Sequence, residues 1–163
     1  MRRLFLLFVA VLATKLSASA DEPALFPDVI PAKLKISYAH EMGSVCEIEL
    51  TNGKIRYRLN HLGKGEETGL VAPAPERWSA FVSALNAAKV YKWDGHYEGK
   101  PMARDGGFYW SVKLQLGEML FVSDGDSAFP LDGDIDPTER KSPHAAFDLL
   151  ISAVSHLIGR NFL

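Results

Sequence analysis

Val45-Cys46-Glu47-Ile48-Glu49-Leu50-Thr51-Asn52-Gly53-Lys54-Ile55-Arg56-Tyr57-Arg58-Leu59 is the stretch on which the fold turns. Cys46, Ile48 and Leu50 alternate with Glu47 and Glu49, and Ile55, Tyr57 and Leu59 alternate with Lys54, Arg56 and Arg58. A two-residue period is the mark of a strand with one buried and one wet face. Asn52-Gly53 lies between the two runs, and both residue types accept the positive φ of a type I′ turn. The stretch therefore predicts a hairpin. Its acidic strand lies beside its basic strand on the solvent face, a favourable cross-strand arrangement.

The same patterns extend outward from this hairpin. Lys33 to Tyr38 alternates and predicts a strand before it, and His61 to Pro75 reads as a loop rich in Gly, Glu and Pro. Pro75 suits a first helical turn, where a missing N–H costs nothing. Trp78, Phe81, Val82, Leu85 and Ala88 then recur at helical spacing, so a helix is expected from Pro75 to Lys89. Asp94-Gly95 makes a turn, and Tyr97 to Gly107 reads as irregular. Phe108 to Leu116 alternates, and Gly117-Glu118 turns it into Met119–Ser123, a second hairpin. Ser142 and Pro143 open a final helix with the stripe Phe147, Leu150, Ile151, Val154, Leu157 and Ile158. Gly159 suits a left-handed cap at its end.

The order strand, hairpin, helix, hairpin, helix predicts a two-layer α+β domain. Its antiparallel sheet has about five strands, with two amphipathic helices on one face. Trp78, Phe81, Leu85, Trp110, Phe147, Ile151 and Val154 are expected in one core. The opposite face is expected to be open, with Lys54, Arg56 and Arg58 beside Glu47 and Glu49.

The first twenty residues read differently. Arg2-Arg3 precedes an unbroken apolar run, Leu4 to Ala13, and the small triplet Ala18-Ser19-Ala20. This is the order of a secretory signal peptide, and the run is too short to span a bilayer, which takes about 20 residues. The expected organisation is a signal peptide over 1–20, an extended Pro-containing lead-in over 21–32, and one domain over 33–163. The expected location is periplasmic or secreted, with no stable membrane insertion after cleavage.

Three of the 18 basic residues, and none of the 20 acidic ones, lie in the signal, so the remainder carries a formal charge of −5. A mildly acidic domain lacks the basic footprint that nucleic acid requires. Cys46 is the only cysteine. It excludes an intrachain disulfide, and its place in an alternating strand reads as a small buried hydrophobe.

A set of residues carries a resemblance. Trp78-x-x-Phe81 on a helix is followed by Val90-Tyr91-Lys92-Trp93 and Tyr97, then by Asp105-Gly106, Trp110 on a strand, Ser123-x-Gly125, Pro130 and a last amphipathic helix. Over Lys33 to Gly159 the chain resembles a group of small exported bacterial domains of unknown function. The resemblance implies the same order of elements and an envelope location, and it implies no activity.

Candidate sites are few. Asp132, Asp134 and Asp136 alternate as calcium loops do, since a hard cation takes oxygen ligands. Counted from Asp132, however, Pro137 stands where the loop's glycine belongs and Pro143 where its bidentate glutamate belongs. His40, His61, His96, His144 and His156 form no metal-binding spacing, and no nucleophile motif of the G-x-S-x-G or S-x-x-K kind occurs. No cofactor is implied, and the domain is expected to fold without metal. Trp93 and Tyr97, with Arg104 nearby, form an aromatic cluster of the kind that carries recognition energy, although aromatics directly after a helix more often pack it against the sheet edge. The leading expectation is a non-catalytic binding or inhibitor-like module whose partner is a protein or ligand of the cell envelope. The alternative is a small periplasmic hydrolase. A concave site with converging polar groups would favour the enzyme, and a charged sheet face with exposed aromatics would favour binding.

Overall fold

The computed structural model describes residues 26–99, 106–130 and 144–163. Seven strands and two helices follow in the order β1 (Lys33–His40), β2 (Val45–Thr51), β3 (Lys54–His61), β4 (Gly65–Val71), α1 (Pro75–Ala87), β5 (His96–Glu98), β6 (Phe108–Leu116), β7 (Met119–Asp126) and α2 (Ala145–Ile158). One sheet holds all seven strands in the order β4-β3-β2-β1-β6-β7-β5.

The two expected hairpins are present. Asn52 and Gly53 have φ of 52° and 74°, as a type I′ turn demands. The register sets Glu47 opposite Arg58 and Glu49 opposite Arg56. β6 and β7 pair from Tyr109↔Asp126 to Leu116↔Met119 around Gly117.

The expectation of about five antiparallel strands is corrected in two places. β4 stands where the sequence predicts a loop, because Gly65-Glu-Glu-Thr-Gly-Leu-Val71 has no apolar alternation. It is an edge strand with little to bury, and its ladder with β3 runs from Ile55↔Val71 to His61↔Gly65. Gly69 lies opposite Tyr57, whose ring occupies the place a β-carbon would take. β5 stands where the sequence predicts irregular chain. It is three residues long and pairs with β7 in parallel, His96↔Asp124 to Glu98↔Asp126, so the sheet is mixed. Hairpins impose antiparallel neighbours only on the strands they join. β5 arrives from α1 by way of a short 3-10 turn, Val90–Lys92, and is free of that constraint.

Both helices cover one face. Leu34 and Ile36 of β1, Cys46 and Ile48 of β2, Ile55 and Leu59 of β3, and Trp110, Val112, Leu114 and Leu116 of β6 are buried there. Trp78, Phe81, Val82 and Leu85 of α1 and Phe147, Leu150, Val154 and Leu157 of α2 pack against them. Ile151, expected in the core, is only partly buried at its margin. α1 ends two residues before Lys89, which takes φ of 48°, and Gly159 caps α2 with φ of 67°. The lead-in is tied down at Phe26, whose backbone exchanges two hydrogen bonds of 3.1 Å with the Asn86 side-chain amide.

Candidate functional site

Two places on this scaffold offer chemistry: a cleft at one end of the helix-bearing face, and the open side of the sheet with its β7 edge.

The cleft follows from strand phase. His40 continues the inward series Leu34, Ile36, Tyr38, and His61 continues Ile55, Tyr57, Leu59. The β1–β2–β3 meander brings these strand ends together over Cys46, which pairs with both Tyr38 and Leu59. Tyr38, His40, Ser44, His61 and Leu163 line a cleft of about 220 Å³. His40 Nδ1 accepts from the Met42 N–H at 3.2 Å, and Ser44 Oγ accepts from the Leu62 N–H at 3.2 Å. His61 Nδ1 stands 3.9 Å from Cys46 Sγ. Burial pushes the Cys46 thiol and the Tyr38 phenol up, so both keep their protons at neutral pH.

Cys46 beside His61 is a thiol–imidazole pairing, and the state of the thiol decides against thiol catalysis. A catalytic cysteine needs an accessible thiolate, whereas Cys46 is 0% exposed with a raised pKa. Alkylation of the native protein by iodoacetamide at pH 8 should therefore be slow and should accelerate sharply in denaturant. Native labelling as fast as that of free cysteine would mean that the thiol is open to reagent.

The open side carries the charged ladders. Lys35 bonds Glu47 at 2.7 Å, and Arg58 bonds Glu66 at 2.8 Å. Tyr109, Leu120 and Val122 are about half exposed among them, at 50%, 56% and 49%. The two edges of the sheet differ. β4 is guarded by Glu66 and by Glu67, which Arg160 holds at 2.9 Å. That Arg160 hydrogen bond, chiefly, lowers the Glu67 pKa. β7 is half covered: β5 pairs only with Asp124–Asp126, and among the described residues no strand lies outside Met119–Ser123. The Asp124 N–H donates to Gly95 O at 3.2 Å and Asp126 O accepts from the Gly99 N–H at 2.9 Å, so these two residues turn their backbone groups toward β5. The two-residue period points those of Leu120 and Val122 the same way. Met-Leu-Phe-Val-Ser contains no charge and no proline, the devices that normally blunt an edge.

Trp93 and Tyr97 are partly buried and serve packing. Trp93 donates from Nε1 to Ala88 O at 3.2 Å, and its ring meets Trp110 at 5.8 Å and Phe147 at 6.4 Å. Tyr97 lies 5.9 Å from Trp110, and its hydroxyl oxygen accepts from the Asp94 N–H at 2.8 Å. Arg104, Asp132, Asp134 and Asp136 lie outside the described residues, as do Ser142 and Pro143. Among the described residues, no group of three or more His, Cys, Asp or Glu is placed to hold a metal ion. No described helix is long and apolar enough to cross a membrane.

His96 is the titratable group that ties β5 to the sheet. Its Nδ1 lies 2.7 Å from Asp124 Oδ2, and that hydrogen bond raises its pKa. A raised folded value means that the contribution is fully present below the usual imidazole pKa of about 6.5 and is lost as pH rises through the folded one. An NMR titration should place His96 above 6.5, and Asp124→Asn should return it to the usual range. An ordinary value in the unaltered protein would show that the pair does not form in solution.

No family model matches the chain, and no curated protein matches it either.

Proposed function

We propose that the protein is a non-catalytic binding module of the cell envelope that takes up an extended segment of a partner protein along the open half of β7. The observation that carries this reading is the contrast between the two sheet edges. β4 presents Glu66 and Glu67, whereas Met119–Ser123 presents outward-turned backbone groups and half-exposed Leu120 and Val122 with no guard. A bare apolar edge is a hazard in a lone protein and an asset in one that adds a partner's strand, where main-chain hydrogen bonds supply affinity. A second copy fits this edge poorly. Antiparallel self-pairing centred on Phe121 would set Glu118 opposite Asp124 of the other copy, and like charges directly opposite are destabilising.

The Arg2-Arg3, apolar-run and Ala18-Ser19-Ala20 order supports export, with a mature start at Asp21. The test uses the mature chain as bait in envelope extract, beside Leu120→Lys and Val122→Lys. Both side chains are exposed, so stability should change by no more than about 0.5 kcal/mol. A partner held by the unaltered bait and lost by both variants supports the reading. Equal retention by all three baits sinks it. Sedimentation of the unaltered protein reports on self-pairing: a dimer that Val122→Lys dissolves would assign the edge to a second copy.

A further inference from the structure

We propose that the segment taken up along β7 is an alternately apolar stretch with a lysine or arginine just beyond each of its ends. The inference rests on the edge reading above and adds the chemistry of the partner.

The open edge has a definite length. Leu120 and Val122 follow the two-residue period of Asp124 and Asp126 and turn their backbone groups outward. Their side chains are half exposed on the open side of the sheet. A strand added here sets every second side chain beside them, and apolar residues at those positions take that surface out of water. Past Val122 the edge closes, because Gly95 O takes the Asp124 N–H at 3.2 Å and β5 begins at His96. At the other end β7 starts at Met119, directly after the Gly117-Glu118 turn. The stretch between, Met119–Ser123, is roughly 16 Å long at about 3.3 Å per residue, so the paired part of the partner is short and its flanks lie at the two ends.

Each end carries an exposed carboxylate. Glu118 stands in the turn, and Asp94 immediately precedes Gly95. Backbone bonds fix Asp94 at the end of the open stretch: its N–H donates to Tyr97 Oη at 2.8 Å, and its carbonyl accepts from Ser123 Oγ at 2.6 Å. Among the described residues, the ion pairs within 4 Å are Lys35–Glu47, Arg58–Glu66, His96–Asp124 and Arg160–Glu67, and neither Glu118 nor Asp94 takes part in them. Beyond Asp94 the acids continue with Asp124 and with Glu98 opposite Asp126. The Asp124 hydrogen bond chiefly, opposed by some desolvation, and then the charges of Asp124, Glu98 and Asp126 raise the His96 pKa, as a negative potential at this end does. The nearby lysines do not cancel it at the edge. Lys113 pairs with Val122 from β6, one strand further in, and Lys92 lies over the Tyr91 ring at 5.9 Å. A segment entering the edge therefore meets carboxylates at both ends. Opposite charges across a ladder are favourable and like charges are not, so basic flanks fit, whereas acidic flanks repeat the clash that disfavours a second copy.

The test titrates the mature chain with capped seven-residue peptides and follows its backbone amides by NMR. The first peptide has lysine at both ends, valine at its third and fifth positions and threonine elsewhere. Its charges are symmetric, so either strand direction brings a lysine to each carboxylate. The second has glutamate at both ends. The third has threonine in place of valine. The fourth is the first with its three central residues N-methylated, which removes donors that strand addition uses. In about 50 mM salt the first peptide should give saturable shifts at Leu120 and Val122. One exposed ion pair is worth little by itself, but the second peptide reverses the sign at both ends, so it should bind about tenfold more weakly. That gap should narrow several-fold in about 500 mM salt, where exposed charges are screened. In a double variant, Glu118→Gln with Asp94→Asn, it should fall below about twofold. Both of these side chains are exposed, and circular dichroism checks that the variant folds. Lysine-ended and glutamate-ended peptides binding alike, with the N-methylated one silent, would overturn the basic flanks and leave the edge reading standing. A gap undiminished in the folded double variant would overturn the roles of Glu118 and Asp94. Threonine binding as tightly as valine would overturn the apolar requirement. No saturable shift on β7, or binding untouched by N-methylation, would sink the edge reading itself and this inference with it.

Discussion

Replacing Trp110 with alanine should lower the unfolding free energy by about 3–5 kcal/mol, the range for deleting a large buried aromatic. Trp110 is 2% exposed near the start of β6. Its ring lies 5.2 Å from Phe147 of α2, 5.8 Å from Trp93 and 5.9 Å from Tyr97, so it joins the second helix, the segment after α1 and the β5 edge. Its Nε1–H donates to Ala128 O at 2.7 Å, and removing the donor leaves that carbonyl without its partner. A carbonyl so stranded adds about 1–3 kcal/mol if water cannot reach it, which places the expected loss at the upper end. The check is denaturant unfolding: the midpoint should fall while the slope stays constant, since the surface exposed on unfolding is unchanged. A midpoint shift worth under about 1 kcal/mol would mean that the inner face of β6 has been assigned to the wrong side.

What the chain discloses about this fold depends on how local each signal is. The Asn52-Gly53 hairpin, the stripe from Trp78 to Leu85 and the Gly159 cap are written within a few residues of where they act, and each is legible as sequence. β4 is not, because a strand exposed on both faces has no burial pattern to print. Its position depends on Tyr57 covering Gly69 across the ladder, a relation between residues 12 apart. β5 is held by its neighbours. Ser123 Oγ donates to Asp94 O at 2.6 Å, and His96 reaches Asp124, so nothing in His-Tyr-Glu itself announces a strand. The cleft was half legible. His40 and His61 stand in phase with the inward residues of their strands, but that two strand ends share a corner follows from the meander. Trp93 and Tyr97 leave two readings open in sequence, a recognition surface and packing against the sheet edge. Their rings meet Trp110 and Phe147, the packing that aromatics directly after a helix usually make. Met119–Ser123 is legible as strand, whereas its open edge depends on β5 stopping at Asp124, which no local signal announces.

Gly125→Ala should cost about 3 kcal/mol, the upper end of the range for forcing one methyl group into a packed site. Gly125 pairs with Trp110 on one side and Tyr97 on the other. A β-carbon there would overlap the Trp110 indole and would stand 2.6 Å from Ala128 O, the carbonyl that the indole bonds. The methyl group therefore strikes donor and acceptor of one hydrogen bond together, and the indole must leave its place between Phe147 and Tyr97 to admit it. Two sources of the cost can be separated by a double-mutant cycle. If the strain is chiefly against the indole, adding Gly125→Ala to a Trp110→Ala background puts the methyl into space already cleared. The two losses should then sum to more than the double variant shows, by about 1–2 kcal/mol. If the strain is chiefly against the Ala128 carbonyl, clearing the indole does not help and the losses should add. Since Trp110 supplies the nearer and the larger group, the first outcome is expected. Strict additivity would move the constraint on Gly125 from its aromatic neighbour to the turn that follows β7.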